Sequence, residues 1–138
     1  MAEKAESVVR ELFAAFARRD PAAAMPLVHP ECRFWPQGTA DAVGRTTPYV
    51  GWEGVEAYFA DASRAWDALE IRPDDVRSAA TGIVCFGVAV GRLRGEPAEQ
   101  RIPVIWVFRI RDGQIVFGRV VPTAAEAWGL VAPSASTG

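Results

Sequence analysis

The fold is decided by a stretch near the end of the chain, Ile102–Val121, with the sequence IPVIWVFRIRDGQIVFGRVV. It is dense in β-branched and aromatic residues, which favour strands, and Asp112-Gly113 at its centre is typical of a tight turn. The stretch therefore predicts a β-hairpin with strands at 102–110 and 114–121.

The turn of this hairpin leaves two registers open. A three-residue loop beginning at Arg111, with a glycine bulge, pairs Ile110 with Gln114, so that Gly118 faces Trp106, and makes one face of the hairpin wholly apolar, with Val120 on it. A two-residue Asp112-Gly113 turn instead places Arg119 beside Trp106. We favour the first register, because an arginine buried without a partner is costly.

Further strands precede the hairpin. The segment 83–93 is a strong strand candidate, and 69–79 is a weaker one that Pro73-Asp74-Asp75 interrupts, so we expect it at a sheet edge or a bulge. A short strand is predicted at Cys32–Trp35. The segment 37–48 is rich in Gly, Thr and Pro and lacks any period, which predicts a loop.

Helices are predicted at both ends of the chain and between the strands. Apolar residues at helical spacing indicate amphipathic helices at 3–19 and 54–66. Asp20-Pro21 begins a short second helix as N-cap and first residue. Thr123 is predicted to cap a final turn ending at Trp128. The pattern is that of one α+β domain at 1–131, followed by a disordered tail at 132–138.

Composition excludes several classes of protein. The chain has 138 residues, half of them hydrophobic, and a net charge of −2, which is typical of one ordinary domain. Its Lys and Arg are scattered, so no nucleic-acid partner is expected. It has neither an apolar run of about 20 residues nor a signal peptide, so we expect no membrane partner and a cytoplasmic location. Cys32 and Cys85 are expected to be free thiols, and no metal or cofactor is expected.

Four local signatures occur in a characteristic order. They are His29-Pro30-Glu31, Tyr49–Val55 (YVGWEGV), Phe108–Val116 (FRIRDGQIV) and Ala125–Leu130 (AEAWGL). With them, the whole chain resembles the SnoaL-like branch of the nuclear-transport-factor-2-like superfamily, which also contains ketosteroid isomerase and limonene epoxide hydrolase. The resemblance implies a cone-shaped α+β barrel, in which three helices pack in a strongly curved antiparallel sheet with a mixed edge, around a deep apolar pocket.

The resemblance also says where catalytic groups would lie. The Asp-Arg-Asp constellation of limonene epoxide hydrolase would fall at Val88, Val90 and Val120, and valine can neither activate water nor protonate an epoxide. Epoxide hydrolysis is therefore the least favoured activity. An alignment error of one residue would exchange the faces of a strand. SnoaL-type cyclases usually carry an aspartate near Val120–Thr123, where this chain has none.

The remaining polar residues supply three catalytic candidates. Tyr49 could donate to an enolate oxygen, Asp41 could act as a base from its loop, and His29 is the one imidazole. Asp41 and His29 also have structural explanations, turn formation and helix capping, and core packing explains the nearby Tyr58 at least as well as a functional role. The predicted substrate-binding wall consists of Phe34, Trp52, Phe59, Phe86, Val88, Val90, Val104, Trp106, Phe108, Gly118 and Val120.

Two functions follow from this pattern. The first is a SnoaL-like cyclase or isomerase of secondary metabolism, such as antibiotic biosynthesis, that folds an apolar polyketide-like molecule mainly by shape and orientation, with little acid/base help. The alternative is a non-catalytic small-molecule-binding or accessory domain of the same fold. The convex face carries Ile105, Val107, Phe117 and Val121, so a homodimer through that face is expected.

Overall fold

A computed structural model describes residues 2–131, and the predicted tail at 132–138 lies outside the described residues. Within them the chain forms five α-helices and six strands. The helices are α1 (Ala2–Arg18), α2 (Pro21–Ala24), α3 (Gln37–Val43), α4 (Gly51–Ala65) and α5 (Ala124–Val131). The strands are β1 (Val28–Trp35), β2 (Tyr49–Val50), β3 (Trp66–Ser78), β4 (Gly82–Leu93), β5 (Gln100–Arg111) and β6 (Gln114–Val121).

All six strands form one mixed sheet, in the order β2-β1-β6-β5-β4-β3. Neighbours are antiparallel except for β1 and β6, which are parallel and bring the first and last strands together. Helices α1 and α4 pack on one face of the sheet, which we call the inner face. The predicted α+β class is confirmed, and the interruption of β3 at Pro73-Asp74-Asp75 is a bulge in an edge strand.

The hairpin combines features of both predicted registers. Arg111 pairs with Gln114, and Asp112 and Gly113 have φ of 54° and 79°, so the turn has two residues rather than the favoured three. A bulge at Val116 then inserts one extra residue and shifts the register. As a result Trp106 pairs with Val120 rather than with the predicted Gly118, and Arg119 lies on the opposite, exposed side.

Three aromatic rings stack at the centre of the inner face. Phe34 on β1 and Phe108 on β5 are both register partners of Gly118, which lies between them on β6. The Trp106 ring lies nearly parallel to both, with centroids 5.4 Å from each and interplanar angles of 17° and 7°. A Cβ at Gly118 would approach the Phe34 ring to 2.9 Å and the Phe108 ring to 3.1 Å, so this stack requires glycine there.

The predicted loop at 37–48 is wrong in its first half, which forms helix α3. This helix is too short to show an apolar stripe, and Gly44 ends it with φ of 72°. Its order comes from tertiary contact: Thr39 and Ala40 are buried, and the Trp66 indole donates a hydrogen bond to the Thr39 hydroxyl at 3.1 Å. Local sequence carries little trace of such a contact.

Helix α5 covers much of the opposite, outer face. Thr123 caps it by accepting from the Glu126 N–H at 3.2 Å, and the helix continues past the predicted end at Trp128. An outer cluster of buried side chains joins this helix to the sheet: Val84, Val107, Val121, Ala127 and Val131. The face from which a homodimer was predicted is thus partly covered by the chain itself.

Candidate functional site

A cavity of about 950 Å³ opens between the inner face of the sheet and helices α3 and α4. Most of its wall is apolar and comes from β3, β4, β5 and β6: Leu69, Ile71, Gly87, Ala89, Gly91, Ile102, Val104, Trp106 and Val120. The polar side chains on it are few: Gln37, Thr39, Asp41, Tyr58, Trp66, Asp74 and Gln100.

The inner face of strand β4 carries glycine and alanine along the cavity. Gly87 and Ala89 pair with Val104 and Ile102, which lie on the cavity wall. Because side chains alternate along a strand, Val88 and Val90 are on the opposite face of β4 from Gly87 and Ala89; Val88 still borders the cavity, and Val90 does not. The inner positions beside the cavity carry no titratable group, so β4 supplies no carboxylate in either alignment.

Phe86 shares the face of Val88. Its ring packs against Trp128 of α5, with centroids 6.4 Å apart, on the outer face. Phe86 and Val88 nevertheless both border the cavity, beside Gly87.

The other predicted wall residues divide into two groups. Val104, Trp106 and Val120 border the cavity. Phe34, Phe59, Phe108 and Gly118 do not: they are buried in the core beneath it. Trp52 lies on the outside with 48% of its surface exposed, and its indole donates to the Val28 carbonyl at 2.9 Å.

Of the three catalytic candidates, only Asp41 borders the cavity. It lies on α3 at the exposed rim, and its carboxylate accepts from the Gln37 amide at 2.7 Å. The His29 Nδ1 accepts from the N–H of Glu31 at 3.0 Å, outside the cavity. Tyr49 is fully buried away from the cavity, and its hydroxyl donates to Asp61 at 2.7 Å.

The Tyr49 hydroxyl is committed to a buried polar cluster. Asp61 accepts from it and from Arg64, and the Arg45 guanidinium lies 3.8 Å from the centroid of the Tyr49 ring. Burial by itself would raise the pKa of Asp61, but the hydrogen bonds from Tyr49 and Arg64 outweigh it and hold that pKa below its ordinary value. The cluster connects Tyr49, just before α4, to Asp61 within α4, and it has a structural role.

This cluster makes stability depend on pH. A carboxyl group whose pKa is lower in the folded state stabilises the fold at pH values above its unfolded-state pKa of about 3.9. This stabilisation is lost as the pH falls through the folded-state pKa. We expect Asp61→Asn to lower the free energy of unfolding by about 1.5 kcal/mol at pH 7 and by much less at pH 2.5. Urea unfolding at both pH values measures this difference.

A matched control is available on β3. Asp75 pairs with Arg77 at 2.8 Å, but both side chains are well exposed, so Asp75→Asn should change stability little at either pH. The stabilising role of the Asp61 carboxylate would be contradicted if both variants lost the same free energy of unfolding. It would also be contradicted if the loss for Asp61→Asn did not become smaller at low pH.

Sequence reasoning did not identify Thr39 and Tyr58, two polar side chains that border the cavity, or the unsatisfied state of the Trp106 indole. The Trp106 indole N–H is buried and has no hydrogen-bond partner among the described residues. Tyr58 was interpreted as core packing as readily as a functional residue, and Thr39 lies in the segment taken for a loop. Aromatic residues at helical spacing predict burial in general, and nothing in that spacing distinguishes a side chain facing a cavity from one in the core.

Tyr58, Thr39 and Trp66 are polar side chains on one side of the cavity. The Trp66 indole donates a hydrogen bond to the Thr39 hydroxyl at 3.1 Å. Burial raises the pKa of Tyr58 well above its ordinary value, although Thr39 and the charge of Arg19 oppose the rise. Tyr58 therefore keeps its proton at neutral pH and can act as a donor.

Charge around the cavity has one sign. Asp41 and Asp74 are the charged side chains among the described residues that line it, and both are exposed at the rim. No Lys, Arg or His belongs to the described lining. The interior is thus apolar, with uncharged hydrogen-bond donors, and the rim is acidic.

A six-stranded mixed sheet with helices packed on its inner face, and an apolar cavity between them, defines a class of small α+β domains. The chain belongs to the SnoaL-like domain family, whose model matches residues 9–117. No curated protein matches the sequence.

Solved structures share the fold at low sequence identity. A nuclear-transport-factor-2-like protein of unknown function from Burkholderia pseudomallei is 22% identical, with a TM-score of 0.75 and coverage of 93% of this chain and 97% of that chain. TerC, co-crystallised with polyporic acid, is 18% identical, with a TM-score of 0.74 and coverage of 93% and 98%. A candidate polyketide cyclase from Xanthomonas campestris is 17% identical, with a TM-score of 0.70 and coverage of 90% and 93%.

Two features are absent from the described residues, a membrane-spanning helix and a metal-binding cluster. None of the helices between residues 2 and 131 is both long and apolar enough to span a membrane. The same residues contain no cluster of three or more His, Cys, Asp or Glu side chains suited to a metal ion.

Proposed function

We propose that this protein is a SnoaL-like cyclase or isomerase of secondary metabolism that acts on an apolar, polyketide-like molecule bound in the cavity. The observation that carries the proposal is the apolar cavity of about 950 Å³, bordered by the Asp41 carboxylate at its rim and by Tyr58.

The proposed chemistry is proton transfer next to a carbonyl group. Asp41 removes a proton from the carbon beside the carbonyl, and the electron pair moves onto the oxygen to give an enolate. Tyr58 donates a hydrogen bond to that oxygen. The enolate carbon then takes back a proton or attacks a second carbonyl to close a ring. The cavity volume lies in the range of about 300–1,000 Å³ that is usual for ligand sites.

The names of two relatives support a small-molecule function. TerC was co-crystallised with polyporic acid, and the Xanthomonas protein is described as a candidate polyketide cyclase. We propose the same general class for this chain. We also propose a cytoplasmic homodimer that uses the part of the outer face beside α5, where Ile105 and Phe117 remain half-buried; the mass in solution, by light scattering, tests the dimer.

A specific observation favours the alternative, a non-catalytic binding domain. Both carboxylates that border the cavity lie at its exposed rim, and the inner positions of β4 are glycine and alanine. In this alternative the cavity holds an apolar ligand without converting it.

Proton exchange into a model ketone separates the two functions. We expect the protein to catalyse the exchange of the α-protons of 2-tetralone for deuterium in D2O, followed by proton NMR. Asp41→Asn should slow the catalysed exchange by about 100-fold or more, because a positioned base typically contributes 10² to 10⁴.

The control is the other rim carboxylate. Asp74→Asn removes the same charge from the rim without removing the proposed base, and it should keep exchange within about two-fold of the wild type, since rim charges contribute little to transition-state binding. Binding of 2-tetralone with exchange at the buffer rate would contradict catalysis and favour the binding domain. Equal losses in both variants would show that Asp41 acts only through its charge.

A further inference from the structure

We infer that Tyr58 sets how deep a ligand reaches into the cavity, because its ring separates that cavity from a second, smaller one inside the core. The small cavity has a volume of about 20 Å³, which is room for little more than one water-sized sphere. The inference rests on the proposed function only in placing a ligand in the large cavity. It holds for an enzyme and for a binding domain alike.

The small cavity is closed and apolar. The residues that line it lie on α1, α4, β1 and β6, and all of them are buried. Among their side chains only Tyr58 and Cys32 carry an atom other than carbon and hydrogen, a hydroxyl and a thiol. Water is poorly held in such a space, since it finds too few hydrogen-bond partners there. A group that enters the small cavity must therefore be apolar.

Tyr58 is the residue at which the two cavities meet, because it is the one residue common to both linings. Its ring contacts the rings of Phe16 and Phe34, with centroids 5.0 and 5.1 Å apart, and both phenylalanines line the small cavity but not the large one. Tyr49 and Phe59 pack against the same ring at 5.7 and 5.6 Å. Held by these four rings and only 3% exposed, the Tyr58 side chain has little freedom to turn aside.

The position of this ring has a consequence for ligand selection. A ligand in the large cavity stops at Tyr58, whereas a shorter side chain at this position would join the cavities and add an apolar recess that extends to Cys32. Each methylene group that enters such a recess raises affinity about four-fold. The side chain at position 58 thus discriminates between ligands by the length of their apolar substituents.

The reactivity of Cys32 tests the joining of the cavities without any ligand. Cys32 and Cys85 are both buried free thiols, and burial raises their pKa to about 12 and about 11, so both should react slowly in the wild type. Methyl methanethiosulfonate, a small uncharged thiol reagent, should modify Cys32 at least about ten-fold faster in Tyr58→Leu than in the wild type. Cys85 borders neither cavity and should change by less than about two-fold. Peptide mass spectrometry measures both rates in one sample.

Phe59→Leu is the matched control. Phe59 is the next residue on α4, is also a buried aromatic side chain, and lines neither cavity. This variant loosens the core without joining the cavities, so the ratio of Cys32 to Cys85 modification should stay within about two-fold of the wild type. If Tyr58→Leu does not fold, Tyr58→Met takes its place, because a methionine side chain adapts to irregular space in a core.

Two alkylbenzenes test the depth that a ligand reaches. Toluene and butylbenzene differ by three methylene groups, and calorimetric titration gives the ratio of their affinities. That ratio should be at least about four-fold larger in Tyr58→Leu than in the wild type, as one further buried methylene group would give. Phe59→Leu should keep the ratio of the wild type.

The outcomes are separable from those of the proposed function. The inference is overturned if Tyr58→Leu leaves the ratio of Cys32 to Cys85 modification unchanged, if Phe59→Leu exposes Cys32 equally, or if butylbenzene gains no advantage over toluene in Tyr58→Leu. Binding of neither alkylbenzene would overturn it as well. Absence of proton exchange into 2-tetralone, with Cys32 exposed by Tyr58→Leu and the butylbenzene advantage present, would overturn the catalytic proposal and leave this inference standing.

Discussion

Replacing Gly118 with valine is expected to lower the free energy of unfolding by about 3 kcal/mol or more, the upper part of the range for overpacking a core. Even the first added carbon would lie 2.9 Å from the Phe34 ring and 3.1 Å from the Phe108 ring. The rings cannot separate without disturbing Trp106, which is stacked on both. Urea unfolding followed by circular dichroism measures the loss.

The neighbouring residue supplies the control. Arg119 is exposed on the opposite side of β6, so Arg119→Val introduces the same side chain where there is room and should change stability by less than about 0.5 kcal/mol. If Arg119→Val were the more damaging substitution, the bulge at Val116 and the register that follows it would be wrong.

Filling the cavity from β4 is expected to abolish ligand binding without unfolding the protein. Ala89 lies on the inner wall opposite Ile102, and a phenylalanine ring there would occupy the space that a bicyclic ligand needs. We expect Ala89→Phe to weaken 2-tetralone binding by about 100-fold or more, equal to about 2.7 kcal/mol. Stability should stay within about 1 kcal/mol of the wild type, because the ring enters empty space.

Val90→Phe is the matched control one residue away. Val90 lies on the opposite face of β4 and does not border the cavity, so the same enlargement should leave 2-tetralone affinity within about two-fold. Titration of both variants and their melting temperatures complete the comparison. Loss of binding in Val90→Phe with normal binding in Ala89→Phe would reverse the assignment of faces on β4, and with it our account of the cavity wall.

Much of the fold is predictable because its signals are local. The hairpin turn at Asp112-Gly113, the N-cap at Asp20 and the helical spacing in α1 and α4 each lie within a few residues of the structure they specify. These signals also place Trp106, Val104 and Val120 on one side of the hairpin, and all three border the cavity. The turn itself, however, was predicted with three residues and has two.

The candidate site was predictable only in outline. Asp41 and five of the predicted wall residues border the cavity, but Tyr49 was assigned to the pocket while its hydroxyl is hydrogen-bonded to Asp61, twelve positions away. Thr39 was passed over because helix α3 owes its order to the distant Trp66. Such partners are set by how α3, α4 and β3 pack, and they leave no periodicity in the sequence.

Because turn chemistry and hydrophobic spacing act over short distances, the sequence predicted a curved sheet packed by helices. It could not determine which face of β4 meets the cavity. That strand is apolar at nearly every position because α1 and the cavity lie on one side and α5 approaches the other, so no alternation of polar and apolar residues marks the inside. Only the tertiary structure, through the register with Trp106 and the bulge at Val116, decided it.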